Sequence, residues 1–333
     1  MSTITQRSAK PDDRRGHGLP PRLSRFLRDY STLLIFVVLI IGASFASDSF
    51  LSVHNIGNVM RQTAGIGLMS IGMLFVILTR GIDLSVGAIL ALGSVVSAIL
   101  LQYFPLAVAI PLTIGSGALL GAVSGFGVAF MRLPSFIVTL AMMSIARGVS
   151  LIISDGRPIM VSDNGMALLH FGSGYLFGVP YPVWLMLAMF VAAGVVHKYM
   201  RFGRVITAIG SNEQAVHLSG VRVRYYTFAV YLLSGALAAL AGIISASRAG
   251  VGSASIGVGA ELDVIAAVVI GGASLTGGKG TVFNTLIGVL VFGVIGNIMN
   301  LMNISGYDQE VVMGVIILIA IMLQARLYRA RHY

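Results

Sequence analysis

Apolar runs long enough to cross a bilayer follow one another along most of this chain, with short polar breaks between them. A helix needs about 20 mostly apolar residues to span the hydrocarbon core. By that measure spans are predicted at roughly 31–47, 59–79, 85–102, 105–131, 134–153, 180–198, 225–247, 261–276, 282–303 and 309–326. The eighth is short and ends in a Gly-rich stretch, so it reads as a broken or re-entrant helix. The pattern predicts an all-α integral membrane protein of about ten transmembrane helices, with a count of eight left open. Residues 1–30 form a polar, basic tail, 31–326 the polytopic domain and 327–333 a C-terminal tail. Two longer polar segments interrupt the domain, 154–180 and the basic 199–224, each able to carry a short helix or a partner contact. Ser44-Phe45-Ala46 faintly resembles a signal-peptidase site, but the basic region is long and holds Pro20 and Pro21, which favours an uncleaved first helix.

Composition sharpens the class. Hydrophobic residues make up 56% of the 333 and charged residues 10%, far from the roughly 25% charge of a soluble domain, which excludes a soluble globular fold. The same figures exclude disorder. The net charge of +10 could suggest nucleic acid, but its placement argues otherwise. With the N-terminus inside, eighteen of the 22 Lys and Arg fall on the inner side. They include Arg80, Arg132, Arg201, Arg204, Arg222, Arg224 and Lys279. Such asymmetry is an orientation signal of an inner-membrane protein. Both ends are basic, so both are expected in the cytoplasm, which requires an even number of spans. No nucleic-acid partner is expected. Cysteine is absent, which removes disulfides and thiolate metal sites, and no metal or cofactor is expected.

Four segments carry candidate chemistry. Thr79-Arg80-Gly81-Ile82-Asp83-Leu84-Ser85-Val86-Gly87 lies between spans two and three. Asp83 and Ser85 read as a helix N-terminus, or as polar groups lining a path. Gly259-Ala260-Glu261-Leu262-Asp263-Val264 echoes it after five intervening spans. An odd number of spans reverses direction, which suggests an inverted repeat. Gly271 to Thr281 is Gly-rich, but Ala273 and Gly280 stand where a phosphate-binding loop needs Gly and Ser or Thr. Gly277, Gly278, Lys279 and Gly280 read instead as a hinge. In the inner segment 208–220, Ser211 is placed to cap a short helix that ends at Gly220, with Gln214 as its capping-box partner.

Polar residues inside spans are few. Arg147 lies in the fifth span, where an unpaired charge costs about 2.5–3.5 kcal/mol. Thr139 and Ser144 share that span, and Asn284, Asn297 and Asn300 lie in the ninth. Asp83, Ser85, Thr139, Ser144, Arg147, Asn284, Asn297 and Asn300 are the candidate substrate path, although bonding between helices explains each singly. Hydroxyls and amides suit a neutral polyhydroxylated solute better than an ion. Small residues recur every four positions at Gly117, Gly121 and Gly125, and at Ser234, Ala238 and Gly242, which predicts close helix crossings within the chain. No histidine pair, nucleophile motif or carboxylate cluster supports catalysis, so no catalytic residue and no metal site is expected.

Read together, four stretches resemble the permease subunit of bacterial ABC sugar importers, in the ribose/xylose/arabinose branch. They are Ile77 to Gly87, Phe136 to Met143, Gly210 to Ala215 with Leu218 to Val221, and Glu261 to Gly272 continuing through Gly277-Gly278-Lys279-Gly280. The similarity runs in order from about residue 55 to 325 and leaves out the N-terminal 30 residues. It implies a permease that works as a homo- or heterodimer in the lipid bilayer, with cytoplasmic ABC ATPase subunits and a periplasmic sugar-binding protein. It also implies that 199–224 is the coupling loop, in which Ser211, Asn212, Glu213, Gln214, Leu218 and Gly220 contact the ATPase. ATP hydrolysis is then expected on the partner and not on this chain. A branched-chain amino-acid importer of the same fold is the nearest alternative. An ion-coupled secondary transporter is the other, and would call for a titratable carboxylate deep in a span.

Overall fold

The computed structural model describes residues 31–329, within which thirteen α-helices are joined by short turns and two small two-stranded pairings. The tail 1–30 and residues 330–333 lie outside the described residues. The helices are α1 (Ser31–Ala46), α2 (Val53–Leu78), α3 (Val86–Tyr103), α4 (Leu106–Ala129), α5 (Ser135–Ser154), α6 (Met166–Ser173) and α7 (Tyr181–Tyr199). They continue as α8 (Arg201–Ser211), α9 (Glu213–Leu218), α10 (Val223–Ala249), α11 (Ala260–Ile270), α12 (Val282–Leu301) and α13 (Gly306–Arg329). Seven are long and apolar enough to cross a membrane: α2, α3, α4, α5, α7, α10 and α12. Of the other three expected spans, α1 is apolar but shorter, α13 is a 24-residue helix, and α11 has only 11 residues.

The core forms around α10. Gly117, Gly121 and Gly125 of α4 face Gly235, Ala239, Tyr231 and Phe228 of α10 so closely that a Cβ at any of them would meet the partner backbone or side chain. Gly72 of α2 meets Ser234, and Gly242 of α10 meets Leu90 and Ser94 of α3. The small-residue stripes are thus spent inside the chain. Close approach replaces the hydrophobic drive that lipid does not supply. The outer faces of α4 and α5 show Leu119, Val123, Ile137 and Ile152, which is ordinary for a lipid-facing helix.

The long polar segments are structured. Residues 154–180 carry α6, the strand β1 (Ile159–Met160) and a hairpin of β2 (Tyr175–Leu176) and β3 (Val179–Pro180). Strand β1 pairs antiparallel with β4 (Val251–Gly252), which follows α10. At the other end α8 lies across the end of α2. Its Ile206 and Ile209 are buried, Arg201 and Arg204 point out, and Phe202 meets Phe75 edge-on at 6.1 Å. The junctions α2–α3, α4–α5, α7–α10 and α11–α12 gather at this end, which holds Arg80, Arg132, Arg201, Arg204, Arg222, Arg224 and Lys279. This is the basic end of the bundle.

The eighth span is broken. From Gly252 to Gly257 the chain is not helical and runs beside α3. Gly252 touches Ser94 and Ala98, Ser253 exchanges hydrogen bonds with Ser94 Oγ at 3.2 Å, and Gly257 touches Gly87 and Leu90. Ala98 to Gly87 is about three helical turns, or about 16 Å. The chain therefore descends about half the membrane as non-helical turns before α11 begins. Glu261 consequently lies at the level of Gly87, deeper than a span starting at residue 261 on the outer surface would place it.

Candidate functional site

Two centres emerge from the candidate residues, one at the break in the membrane and one at the basic end. At the break, backbone carbonyls freed from helical bonding need partners, because lipid offers none. Arg147 of α5 supplies them. Its Nη1 donates to the carbonyl of Ala254 and, at 2.7 Å, to that of Ile256. Glu261 in the first turn of α11 is the acidic group whose charge acts on this guanidinium. The intramembrane cation is thereby matched to a set of backbone dipoles and a nearby carboxylate. Ser255 lies exposed between the two carbonyls. The break brings the two echoing acidic segments together, since a side chain on Gly87 would strike Glu261 and the Gly257 carbonyl.

Asp83 is fully buried between α2 and α3. Its Oδ1 accepts from the Ser85 amide at 3.0 Å and from Ser85 Oγ at 2.5 Å, and its Oδ2 accepts from Ser234 Oγ of α10 at 2.7 Å. Burial pushes this carboxyl above its ordinary range, and the hydrogen bonds from Ser85 and Ser234 oppose that rise. Ser85 stands at the N-cap of α3, but its hydroxyl serves Asp83 and not the helix. Thr139 Oγ1 donates to Ser135 O at 2.9 Å and to Ile82 O at 3.3 Å, so α5 grips the same loop. Ser144 is exposed and bonds only its own helix, at Leu140 O. The Asn284 amide donates to Thr281 Oγ1 at the start of α12. Asn297 pairs with Asn55, and Asn300 Oδ1 accepts from Gln309 Nε2. The eight residues thus occupy different depths along the bundle.

At the basic end α2 stops in a Schellman motif: Arg80 N–H donates to Ile77 O and Gly81 N–H to Val76 O. The residue in the left-handed position is Arg80, with φ 67°, where glycine is usual. Such a backbone costs a side-chain-bearing residue about 1–2 kcal/mol. Arg80 uses its side chain on α8: Nε donates to Gly210 O at 2.8 Å and Nη2 to Ser211 O at 3.0 Å. These are carbonyls at a helix C-terminus, which lack intrahelical partners and attract a cation. Gly278 N–H donates to Leu78 O, another such carbonyl, at 3.1 Å. Gly277 and Gly278, both with positive φ, pack on Arg80, Gly210 and Ser211. The expected hinge is therefore a joint packed against α2 and α8. Lys279 is exposed beside it, and Gly280 adopts φ 156° against Ala273 and Leu74.

The helix expected in 211–220 is α9, but Asn212 caps it and Ser211 does not. Asn212 Oδ1 accepts from the Ala215 amide at 3.0 Å, while Ser211 ends α8 and bonds Thr207 O. Both residue types cap well. Here α8 runs through Ser211, which places the asparagine at the corner. Gln214 does not complete a capping box. Glu213, Gln214, His217 and Leu218 are exposed, Leu218 by 79%, and Gly220 at φ 81° turns the chain away. The result is a short knob at the basic end, held at its root by Arg80. Among the described residues no group of His, Cys, Asp or Glu is placed to hold a metal ion.

Comparison with known proteins gives consistent matches. The family described as branched-chain amino acid transport system / permease component matches residues 55–321. The ribose import permease protein of Haemophilus influenzae is 42% identical over 304 residues, covering 90% of this chain and 94% of that protein. The ribose import permease protein of Bacillus subtilis is 43% identical over 290 residues, covering 87% and 90%. The L-arabinose transport system permease protein of Escherichia coli is 35% identical over 320 residues, covering 95% and 97%. No solved structure matches.

Proposed function

The chain belongs to the permease family of ABC sugar importers, in its ribose and arabinose branch, and from that membership we propose how this chain moves a pentose or similar monosaccharide into the cytoplasm. The basic end faces the cytoplasm, with both termini on that side. A periplasmic binding protein delivers the sugar to the opposite end, where 154–180 offers a built surface. A cytoplasmic ABC ATPase docks on α9 and hydrolyses ATP. Two permease chains, identical or paralogous, form the path. The observation that carries this reading is α9 itself, an exposed and capped knob rooted in the core at the end that gathers the Lys and Arg. A loose loop could not transmit a displacement, whereas a helix fixed at its root can.

The sugar passes beside the break at 252–259. The turn backbone and Ser255 offer weak polar contacts there, and Arg147 keeps the break open. Weak binding suits a path that must release its cargo, with selectivity left to the binding protein. Ribose and arabinose are transported by the relatives by name, and the sparse hydroxyl and amide groups of the spans fit such a neutral solute.

The test is uptake into proteoliposomes that hold the permease, its ATPase and its binding protein. Labelled ribose should accumulate only with ATP inside and loaded binding protein outside. Uptake driven by an ion gradient without the ATPase would overturn the importer reading. ATP-dependent uptake of labelled leucine in place of pentose would move the chain to the branched-chain amino-acid side of the matching family.

A further inference from the structure

Arg80 occupies a backbone conformation that glycine would adopt without strain, so an arginine there has to offset that strain through work done by its side chain. That work is visible. One guanidinium bonds two successive carbonyls at the end of α8, immediately before the Asn212 cap of α9. The joint admits little play. A Cβ on Gly210 would strike Leu78 O and Gly278 N, and one on Gly277 would strike Arg80. Beyond Arg80 the chain enters 81–87, which is gripped on every side. Ser135 Oγ accepts from Ile82 N–H at 3.3 Å, Thr139 donates to Ile82 O, and Asp83 is bonded to Ser234 of α10. Gly87 then rests on Gly257 and Glu261, at the foot of the break. A continuous run of direct contacts therefore joins α9 to the break, and Arg80 is its link between α8 and the 81–87 segment.

We propose that Arg80 is the positioning residue that passes movement of α8 and α9 to the 81–87 segment and so to the membrane break. The proposal rests on the reading of α9 as the ATPase contact. A rigid element with two arrangements can couple distant sites, and a bidentate guanidinium holds direction as well as distance.

Arg80→Gly separates this role from folding, because it relaxes the left-handed backbone while removing both bonds. In proteoliposomes holding the complete importer, the variant should bind its ATPase as well as the native chain does and hydrolyse ATP at a near-native basal rate. Sugar moved per ATP should fall by about tenfold, within the usual range of coupling between sites. Stimulation of hydrolysis by loaded binding protein should be lost with it. Arg80→Lys, which keeps the charge but not the fork, should recover part of the ratio. A native ratio of sugar to ATP in Arg80→Gly would overturn the proposal. If Arg80→Gly loses ATPase binding as well, Arg80→Lys decides: a lowered ratio with binding intact supports the role, and a native ratio sinks it. The doubly substituted Glu213→Ala/Gln214→Ala chain tests the premise separately, since retained ATPase binding there would remove α9 as the contact while leaving the Arg80 measurement readable.

Discussion

Asn55 and Asn297 exchange a reciprocal pair of amide hydrogen bonds, 2.9 and 2.8 Å long, between α2 and α12. Both side chains are buried, and Asn55 also donates to Phe50 O at 2.9 Å, which ties the α1–α2 turn to the same point. Replacing one partner strands the other in an apolar setting, at about 1–3 kcal/mol. Asn297→Leu should therefore unfold at lower temperature in detergent than Asn55→Leu/Asn297→Leu corrected for the loss at Phe50. A full double-mutant cycle should return about 0.6 to 1.7 kcal/mol of coupling. Strict additivity would mean that the pair contributes nothing.

Asp83 gives a pH prediction. Burial holds its carboxyl above the ordinary 3.8. Just above that value the folded chain keeps a proton that the unfolded chain has released, so stability falls as pH rises until the folded pKa is passed. Asp83→Asn has no proton to lose and should lack that slope. Thermal midpoints of both proteins between about pH 4 and pH 7 test this, and parallel curves would count against it. Ser234→Ala should cost about 1–3 kcal/mol, since Oδ2 loses the only hydrogen bond it accepts from α10.

Glycines on α4 should divide sharply. A Cβ at Gly121 would press into the Tyr231 carbonyl, backbone that cannot move aside, whereas Gly115 has open space. Gly121→Ala should destabilise by about 1–3 kcal/mol through overpacking. Gly115→Ala should be neutral or gain up to about 1 kcal/mol of helix propensity. Equal midpoints for the two variants in a detergent melt would show that the α4–α10 crossing is looser than its geometry.

Hydropathy alone marks the seven long spans, because twenty apolar residues in a row have few other uses. It also marks the eighth as irregular, from its short run and its glycines. It cannot show that residues 252–257 run as non-helical turns beside α3, because that path is stabilised by Ser94 and Arg147, far away in sequence. Pattern alone puts the cap of α9 at Ser211, one residue early, because Ser211 and Asn212 are both good caps and only the extent of α8, which runs through Ser211, decides between them. Ser234 reads as a small packing residue, and only its partner reveals it as a donor to Asp83. Arg80 reads as one more positive charge marking orientation, since nothing in its neighbours announces the carbonyls of Gly210 and Ser211.

Arg147 offers the most direct test of the break. Its guanidinium serves the Ala254 and Ile256 carbonyls, groups that a regular helix would have satisfied internally. Arg147→Met fills similar volume and removes the charge, so any loss reflects the carbonyls and not a cavity. Two orphaned acceptors at about 1–3 kcal/mol each make the non-helical segment costly, and it should fray or collapse toward α3. Uptake should then fall while the ATPase still binds, because the α8–α9 root lies at the basic end and makes none of these contacts. Hydrogen exchange over 252–259 should rise in the variant and stay unchanged at α9. Native protection of 252–259 in Arg147→Met would show that the break is held by its contacts with Ser94 and Gly87 alone.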